Sequence, residues 1–241
     1  EFNYDMQKSV IKSSFIYSLK RTIPILVGFF PVGVAYGLMM SAAGYGVWWT
    51  AAASLFVYTG ATQMLMVSFF RSSLPIFSII ITTLLLNSRH LFYGISFIDK
   101  FKKFGPWKYF LIHTLVDESY SIHCSYKTHE GTSEKWVFVF SAALLWIYWI
   151  VFSLFGNIMG SVITFDTSGI DFALTALFAV ILTEQLLESR TKIPFFAALV
   201  SCTLSFALFG SESFLFPSLC ITVILLSLLK NTIEKGEKNN G

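Results

Sequence analysis

The feature that most constrains this chain is a series of apolar stretches, each long enough to cross a lipid bilayer as a helix. A spanning helix needs about 20 mostly apolar residues. Six stretches meet or nearly meet this length: 22–43, 47–70, 136–156, 172–188, 193–210 and 213–229. Apolar residues make up 55% of the chain and charged residues only 13%, about half the charged share of a soluble domain. The sequence therefore predicts an all-α, polytopic membrane protein.

Two further segments combine a spanning length with charged residues. Segment 75–97 contains an arginine and a histidine, and segment 107–126 contains two histidines and two adjacent acids. If both segments span, the chain has about eight membrane helices. If both are re-entrant hairpins, six spans remain. We favour eight.

Basic residues predict which helix ends lie in the cytoplasm, because cytoplasmic loops are enriched in Lys and Arg. The N-terminal segment 1–21 and the tail 230–241 are both rich in lysine. We therefore expect one membrane domain over 22–229, with both termini in the cytoplasm. Residues 1–5 precede Met6 and are either native or added in cloning, and no function is assigned to them.

One group of lysines does not fit this scheme directly. If 75–97 spans, the group lies outside the cell, and if that segment is re-entrant, it lies in the cytoplasm. Both interpretations place Arg71, after the second apolar stretch, in the cytoplasm and leave the later helices in one orientation. The group consists of Lys100, Lys102, Lys103 and Lys108.

A weak internal repeat bears on the number of spans. The motif Gly33-x-x-x-Gly37 recurs about 120 residues later as Gly156-x-x-x-Gly160. Such repeats are common in transporters. The offset predicts two parallel halves, 22–126 and 136–229. In that arrangement 75–97 corresponds to the apolar stretch 193–210, which favours eight spans.

The first stretch contains Pro31 among glycines, including Gly33 and Gly37. A proline removes one backbone N–H from a helix, and broken helices near the bilayer midplane expose backbone groups to substrates in transporters. We therefore expect a helix break that binds substrate here. The alternative is close helix packing through the two glycines, which form a small-xxx-small motif.

The second stretch has a polar centre. Thr59, Thr62 and Gln63 are spaced i, i+3 and i+4, so in a helix they share a face. We predict that they contact the substrate, together with Asn87 of the third segment. The alternative is hydrogen bonding between helices, which is common in membrane bundles.

Arg89 and His90 follow Asn87 in the third segment. An arginine near the centre of a spanning helix costs about 3 kcal/mol on insertion scales, so it needs a partner. Asp117 and Glu118 are the candidates. We predict that an Arg89–carboxylate pair, together with His90, couples protons to transport; the alternative is a structural pair between two helices.

Glu184 lies near the end of the stretch 172–188. It is a further candidate for ion coupling, or a side chain that reaches the interface. Several other kinds of function lack support in the sequence. The bases are dispersed between apolar stretches rather than forming a nucleic-acid patch. No phosphate-binding Gly-x-x-x-x-Gly-Lys-Ser/Thr loop or Gly-x-Ser-x-Gly elbow occurs. We expect no cofactor, no metal and no enzyme activity.

Five motifs in order resemble the AzlC family, the large subunits of bacterial branched-chain amino acid exporters. The resemblance runs from about Thr22 to Leu229, and the motifs are Pro31-x-Gly33-x-x-x-Gly37, Thr59-Gly60-Ala61-Thr62-Gln63, Asn87-x-Arg89-His90, Asp117-Glu118-Ser119-Tyr120 and Asp171-Phe172-Ala173-Leu174.

This resemblance implies a protein of the bacterial cytoplasmic membrane. It implies export of leucine, isoleucine and valine, with methionine a further candidate, by proton antiport. It also implies a partner, a small membrane subunit of the AzlD type. Two alternatives come from other classes: a scaffold whose partner forms the transport path, and a membrane-embedded enzyme using His90 or His113 with Asp117.

Overall fold

The computed structural model describes residues 2–71, 74–127, 129–162, 179, 182–183, 186 and 191–239. Over these residues the regular structure is helical: α1 (Phe2–Ala42), α2 (Val47–Phe56), α3 (Gly60–Arg71), α4 (Ile76–Lys102), α5 (Trp107–His113), α6 (Asp117–Ser125), α7 (Glu134–Val162), α8 (Ile193–Ser213) and α9 (Leu215–Asn239). Helices α1, α4, α7 and α8 contain stretches long and apolar enough to cross a membrane. The predicted all-α, polytopic fold is confirmed.

The chain divides into two compact units. The first unit comprises 1–72 and 87–171, and the second comprises 73–86 and 172–241. Helix α4 therefore begins in the second unit and ends in the first. The candidate site lies in the first unit.

Helices α1 and α7 run parallel along a seam of small residues. The Ser133 N–H donates to the Ser14 hydroxyl at 3.0 Å, and the Ser18 hydroxyl donates to the Val137 carbonyl at 3.1 Å. In both pairs the second residue, in α7 or directly before it, follows its α1 partner by 119 positions. Because this offset is constant, the two helices point the same way, as the sequence predicted.

The same offset brings Gly37 of α1 against Gly156 of α7. A Cβ on Gly37 would lie 2.1 Å from the Ser153 carbonyl oxygen, and a Cβ on Gly156 would lie 2.2 Å from that of Val34. A Cβ on Gly33 would also meet Phe152, at 2.8 Å. The packing interpretation of Gly33 and Gly37 is therefore confirmed, while their predicted contact with substrate stays a prediction.

The helix break expected at Pro31 is wrong. Helix α1 runs without interruption from Phe2 to Ala42, through both Pro24 and Pro31. A proline inside a membrane helix is tolerated where neighbouring groups or local adjustments satisfy the freed carbonyl. The backbone breaks in the first unit occur elsewhere, and two of them define its architecture.

The second predicted span, 47–70, is a hairpin of two short helices. Helix α2 ends at Phe56, residues 57–59 are not helical, and α3 starts at Gly60. The Phe70 ring near the end of α3 lies 4.6 Å from the Tyr45 ring, which precedes α2. The chain thus returns to the end of the unit from which it came. We call 47–71 the first hairpin and 57–59 its tip.

Segment 107–126 forms a second hairpin, with its tip at 114–116 between α5 and α6. The Trp107 ring at its start lies 5.6 Å from the Trp136 ring of α7, and the Tyr126 ring at its end lies 5.7 Å from the Tyr17 ring of α1. Both ends therefore lie at the level where α7 begins, beside Tyr17 of α1. This segment is re-entrant, whereas Ile76–Lys102 is one continuous helix of spanning length.

The lysine cluster lies at this same end, which we call the lysine end. Lys100 Nζ at the end of α4 is 2.7 Å from Glu134 Oε1 at the start of α7. The expectation that a spanning α4 would place these lysines opposite the start of α7 is therefore wrong, and the side of the membrane on which they lie stays a prediction. The reason is the first hairpin. Because it turns back, α3 and Arg71 end at the Gly44–Gly46 turn, opposite the lysine end. The next helix of the first unit, α4, can therefore end at the lysine end.

Aromatic packing fixes the second hairpin at the lysine end. The rings of Phe97 and Phe101 from α4 surround the buried His123 of α6, which stacks on Phe138 of α7 with ring centroids 4.1 Å apart. Leu111 of α5 belongs to the same core. The descending and ascending arms of the hairpin are thus both attached to α7.

In the second unit, α8 and α9 pack against each other. Gly210, with φ of 72°, interrupts α8 near its end. Two predictions lie outside the described residues, namely the stretch 172–188 as a whole and Glu184. Because that stretch is the expected counterpart of 47–70, the internal repeat stays a prediction.

Replacing Gly37 with alanine is expected to destabilise the protein by about 1–3 kcal/mol, because overpacking forces the α1–α7 seam apart. The matched control is Gly28→Ala in the same helix, where an added Cβ meets nothing within 4 Å. Thermal unfolding of both variants in detergent should lower the midpoint for Gly37→Ala only. Equal midpoints for the two variants would contradict the close approach of the helices.

Candidate functional site

The tips of the two hairpins meet beside the middle of α7. A Cβ on Gly60, just after the first tip, would lie 2.9 Å from the Trp149 ring. The His113 ring, just before the second tip, is 5.9 Å from the Trp146 ring. His113 Nε2 is also 2.8 Å from the Leu55 carbonyl oxygen of the first hairpin. Helices α3 and α6 thus both begin at this level.

The second tip is held by one hydroxyl group. Ser119 accepts a hydrogen bond from the Val116 N–H at 2.9 Å, and its oxygen lies 2.8 Å from the Thr114 carbonyl oxygen. These bonds satisfy backbone groups that the helix break leaves without helical partners. They fix the direction in which Asp117 and Glu118 leave the tip.

The predicted ion pair of Arg89 is present. Arg89 Nη1 of α4 lies 2.6 Å from Asp117 Oδ2, and the two side chains are 34% and 39% exposed. Neither group is fully satisfied, because Arg89 Nε and Asp117 Oδ1 are buried without a hydrogen-bond partner among the described residues. One donor and one acceptor therefore remain for another molecule.

Glu118 differs from its neighbour. It is partly buried and makes no ion pair within the described part of the chain. It lies within electrostatic range of Arg89 and Asp117, and also of the Tyr58 hydroxyl in the first tip. The sequence left two carboxylates as alternatives for the arginine; the structure pairs Asp117 with Arg89, and Glu118 forms no ion pair with a described residue.

Asn87 joins α4 to the first hairpin. Its Nδ2 donates to the Thr62 hydroxyl at 2.8 Å, and that hydroxyl lies 3.0 Å from Asn87 Oδ1. Gln63, the next residue, is directed towards α7, where its Oε1 accepts a hydrogen bond from Trp149 Nε1 at 2.6 Å. The interhelical interpretation is thus confirmed for Thr62 and Gln63, and contact with substrate stays a prediction.

Further polar atoms near the tips are buried without partners in the described ranges, among them Gln63 Nε2, Trp146 Nε1 and the hydroxyls of Tyr36 and Tyr58. Tyr36 stacks on Trp149, with ring centroids 6.1 Å apart. Sequence reasoning missed Tyr36 and Trp149, because aromatic residues in apolar stretches are expected to face lipid. The sequence offered one signal that aromatic residues belong to this cluster, namely Tyr58 at the polar centre of the second apolar stretch.

The remaining predicted residues surround this cluster. Thr59 lies in the first tip, where its carbonyl accepts the Gln63 N–H at 2.9 Å. The His90 ring lies 5.7 Å from the Tyr93 ring, which stacks on Tyr120 of α6. A grouping of three or more metal-ligating side chains is absent from the described residues.

Buried polar groups in proteins are nearly always hydrogen-bonded, so a cluster of unpaired ones indicates a binding site. Here the unpaired donors include the Arg89 Nε, the Gln63 Nε2 and two tyrosine hydroxyls, and the unpaired carboxylate oxygen is Asp117 Oδ1. These unpaired atoms make the cluster the candidate site of the first unit.

A family model described as AzlC protein matches residues 24–163, which is more than half of the chain. The chain belongs to the AzlC family. The matched residues include both hairpins, Arg89 and the acidic pair of α6. The AzlC-family chain is therefore a multi-pass membrane protein, as its composition and long apolar helices indicate.

Relatives cover nearly the whole AzlC-family chain. The branched-chain amino acid transport protein AzlC of Bacillus subtilis (strain 168) is 32% identical over 96% of this chain and 91% of its own length. An uncharacterized membrane protein of Helicobacter pylori (strain ATCC 700392 / 26695) is 35% identical over 89% and 94%. The inner membrane protein YgaZ of Escherichia coli (strain K12) is 22% identical over 92% and 91%. No solved structure matches the chain.

Replacing Arg89 with alanine should destabilise this AzlC-family protein, because it leaves the Asp117 carboxylate unpaired. Since both side chains are about a third exposed, the expected loss lies between about 1 kcal/mol for an exposed pair and about 3–5 kcal/mol for a buried one.

The double variant Arg89→Gln/Asp117→Asn should recover part of this loss, because it removes both charges. Lys102→Ala, which breaks an exposed pair at the end of α4, serves as the control and should change stability by less than about 1 kcal/mol. The measurement is thermal unfolding in detergent. If the loss of stability in the double variant equalled the sum of the losses in Arg89→Gln and Asp117→Asn alone, Arg89 and Asp117 would not be energetically coupled.

Proposed function

We propose that this protein is a secondary transporter subunit that exports branched-chain amino acids by proton antiport, together with a small AzlD-type membrane subunit. The substrate binds between the two hairpin tips. The observation that carries the proposal is the set of unpaired buried polar atoms at the tips, on Arg89, Asp117, Gln63 and Tyr58. The name of the Bacillus subtilis relative supports the substrate class.

An amino acid is held at both of its charged groups. Its carboxylate lies at the start of α3, where free N–H groups and the helix dipole favour negative charge, and the unpaired Gln63 Nε2 and Tyr58 hydroxyl donate to it. Its ammonium group lies at Glu118, the carboxylate that makes no ion pair with any described residue. The substrate-binding backbone groups that the sequence predicted near Pro31 are thus proposed at the start of α3 instead.

The two hairpins enter from opposite ends of the first unit, so each closes the site from one side. Movement of the first hairpin opens the tips towards the Gly44–Gly46 turn, and movement of the second opens them towards the lysine end. This arrangement is the elementary requirement for alternating access around a fixed site.

Proton coupling follows from competition for Glu118. A carboxylate in a membrane protein is costly to leave charged and unpaired. It therefore takes up either a proton or the ammonium group of the substrate, but not both. Export of substrate in one direction then returns a proton in the other. The pairing of Asp117 with Arg89 leaves it less suited to this exchange.

The test is leucine efflux from preloaded proteoliposomes, with and without an imposed pH gradient, for this chain alone and together with its small partner. A gradient of one pH unit supplies about 1.4 kcal/mol per proton, which corresponds to about a tenfold substrate ratio at full coupling. Gradient-driven efflux that requires this chain supports the proposal. The scaffold alternative instead predicts that tip variants which still bind the partner transport normally.

Glu118→Gln should abolish the response to the pH gradient and retain exchange of leucine for leucine, because the amide binds an ammonium group through its oxygen but takes up no proton. Glu130→Gln, an exposed position between α6 and α7, is the matched control and should behave like the unmodified protein. A Glu118→Gln variant with full gradient-driven efflux would remove Glu118 from the coupling step.

A further inference from the structure

An apolar cavity of about 250 Å³ lies between the arms of the first hairpin. Its walls come from α1 through Met40, from α2 through Trp49, Ala52 and Ala53, and from α3 through Met66. Among the described residues that line it, the polar groups are limited to the Tyr45 hydroxyl and the Trp49 indole N–H. The cavity therefore suits an apolar group and offers nothing to a charged one.

The cavity adjoins the candidate site along the chain. Val57 lines it and is also the first residue of the tip, directly before Tyr58, whose hydroxyl is unpaired. Along α3, Gln63 lies near the tip, and Met66 and Phe70 follow at i+3 and i+7, on the same side of the helix. This side of α3 is polar at the tip and apolar away from it.

We infer that this cavity receives the apolar side chain of the amino acid substrate and sets its upper size, an inference that rests on the proposed function. With the charged groups of the substrate at the tip, its side chain extends along α3 into the cavity. Ala52 and Ala53 provide the space, because their side chains are the smallest in the wall. A branched aliphatic chain covers more of this apolar wall than a short chain does, and a polar chain finds little there to bond to.

Two variants test the inference in opposite directions. Ala52→Leu should fill the cavity and lower the preference for leucine over alanine by about tenfold or more, since each methylene in an apolar pocket contributes at least that order of discrimination. Met66→Ala should enlarge the cavity and raise the preference for phenylalanine over valine. Ala51→Leu, on the same helix but outside the cavity wall, is the matched control.

The readout is competition of unlabelled alanine, valine, leucine and phenylalanine with labelled leucine exchange in proteoliposomes, using the complex of this chain with its partner. Changed preference ratios in Ala52→Leu or Met66→Ala, with unchanged ratios in Ala51→Leu, support the inference. Unchanged ratios in both variants, with wild-type protein that exchanges leucine, overturn it and leave the proposed function intact. If wild-type protein exchanges no amino acid, the proposed function fails, and the inference fails with it.

Discussion

The close approach of α1 and α7 is the interaction on which the rest of the first unit depends. In a bilayer the lipid tails are as apolar as the side chains, so helices associate by van der Waals packing of small residues rather than by a hydrophobic driving force. Gly37 and Gly156 allow backbone contact that a Cβ would prevent. Helix α7, fixed in this way, then contacts α2, α5 and α6 and presents Trp149 to the first tip.

Both hairpins have helix ends in the middle of the first unit, and the need to satisfy the backbone groups at these ends explains why the two tips meet. A helix that ends inside a membrane leaves backbone groups without helical partners, and lipid supplies none. In the first unit these ends face each other rather than lipid. The Leu55 carbonyl is met by His113, and the second tip is bridged by the Ser119 hydroxyl. The unpaired side-chain atoms lie at this same level, so the place where the backbone needs partners is also the place of the candidate site.

The sequence was sufficient where a single physical requirement decides the outcome. Composition alone predicts a helical membrane protein, and the cost of a lone arginine predicts the partner of Arg89. It was insufficient where a tertiary contact decides. The apolar length of 47–70 is the same for one span and for two half-length helices, and the break at Tyr58 accompanies the contact of Gly60 with Trp149, a residue nearly 90 positions away. Pro31 carries the stronger local signal for a break, yet α1 continues through it. The side of the lysine cluster was unpredictable for the same reason, because it depends on the turn of the first hairpin.

The two adjacent acids at the start of α6 illustrate how one geometric fact separates two chemically equal residues. Successive residues on a helix point about 100° apart, so one arginine cannot meet both carboxylates from one direction. Arg89 neutralises Asp117, and the second negative charge, on Glu118, is left at the tip. In a site of low polarity that charge is stable only when a cation or a proton accompanies it. A substrate ammonium group and a proton are the two species that serve this purpose, and under the proposed function their exclusion of one another at a single carboxylate is sufficient to link their opposite movements.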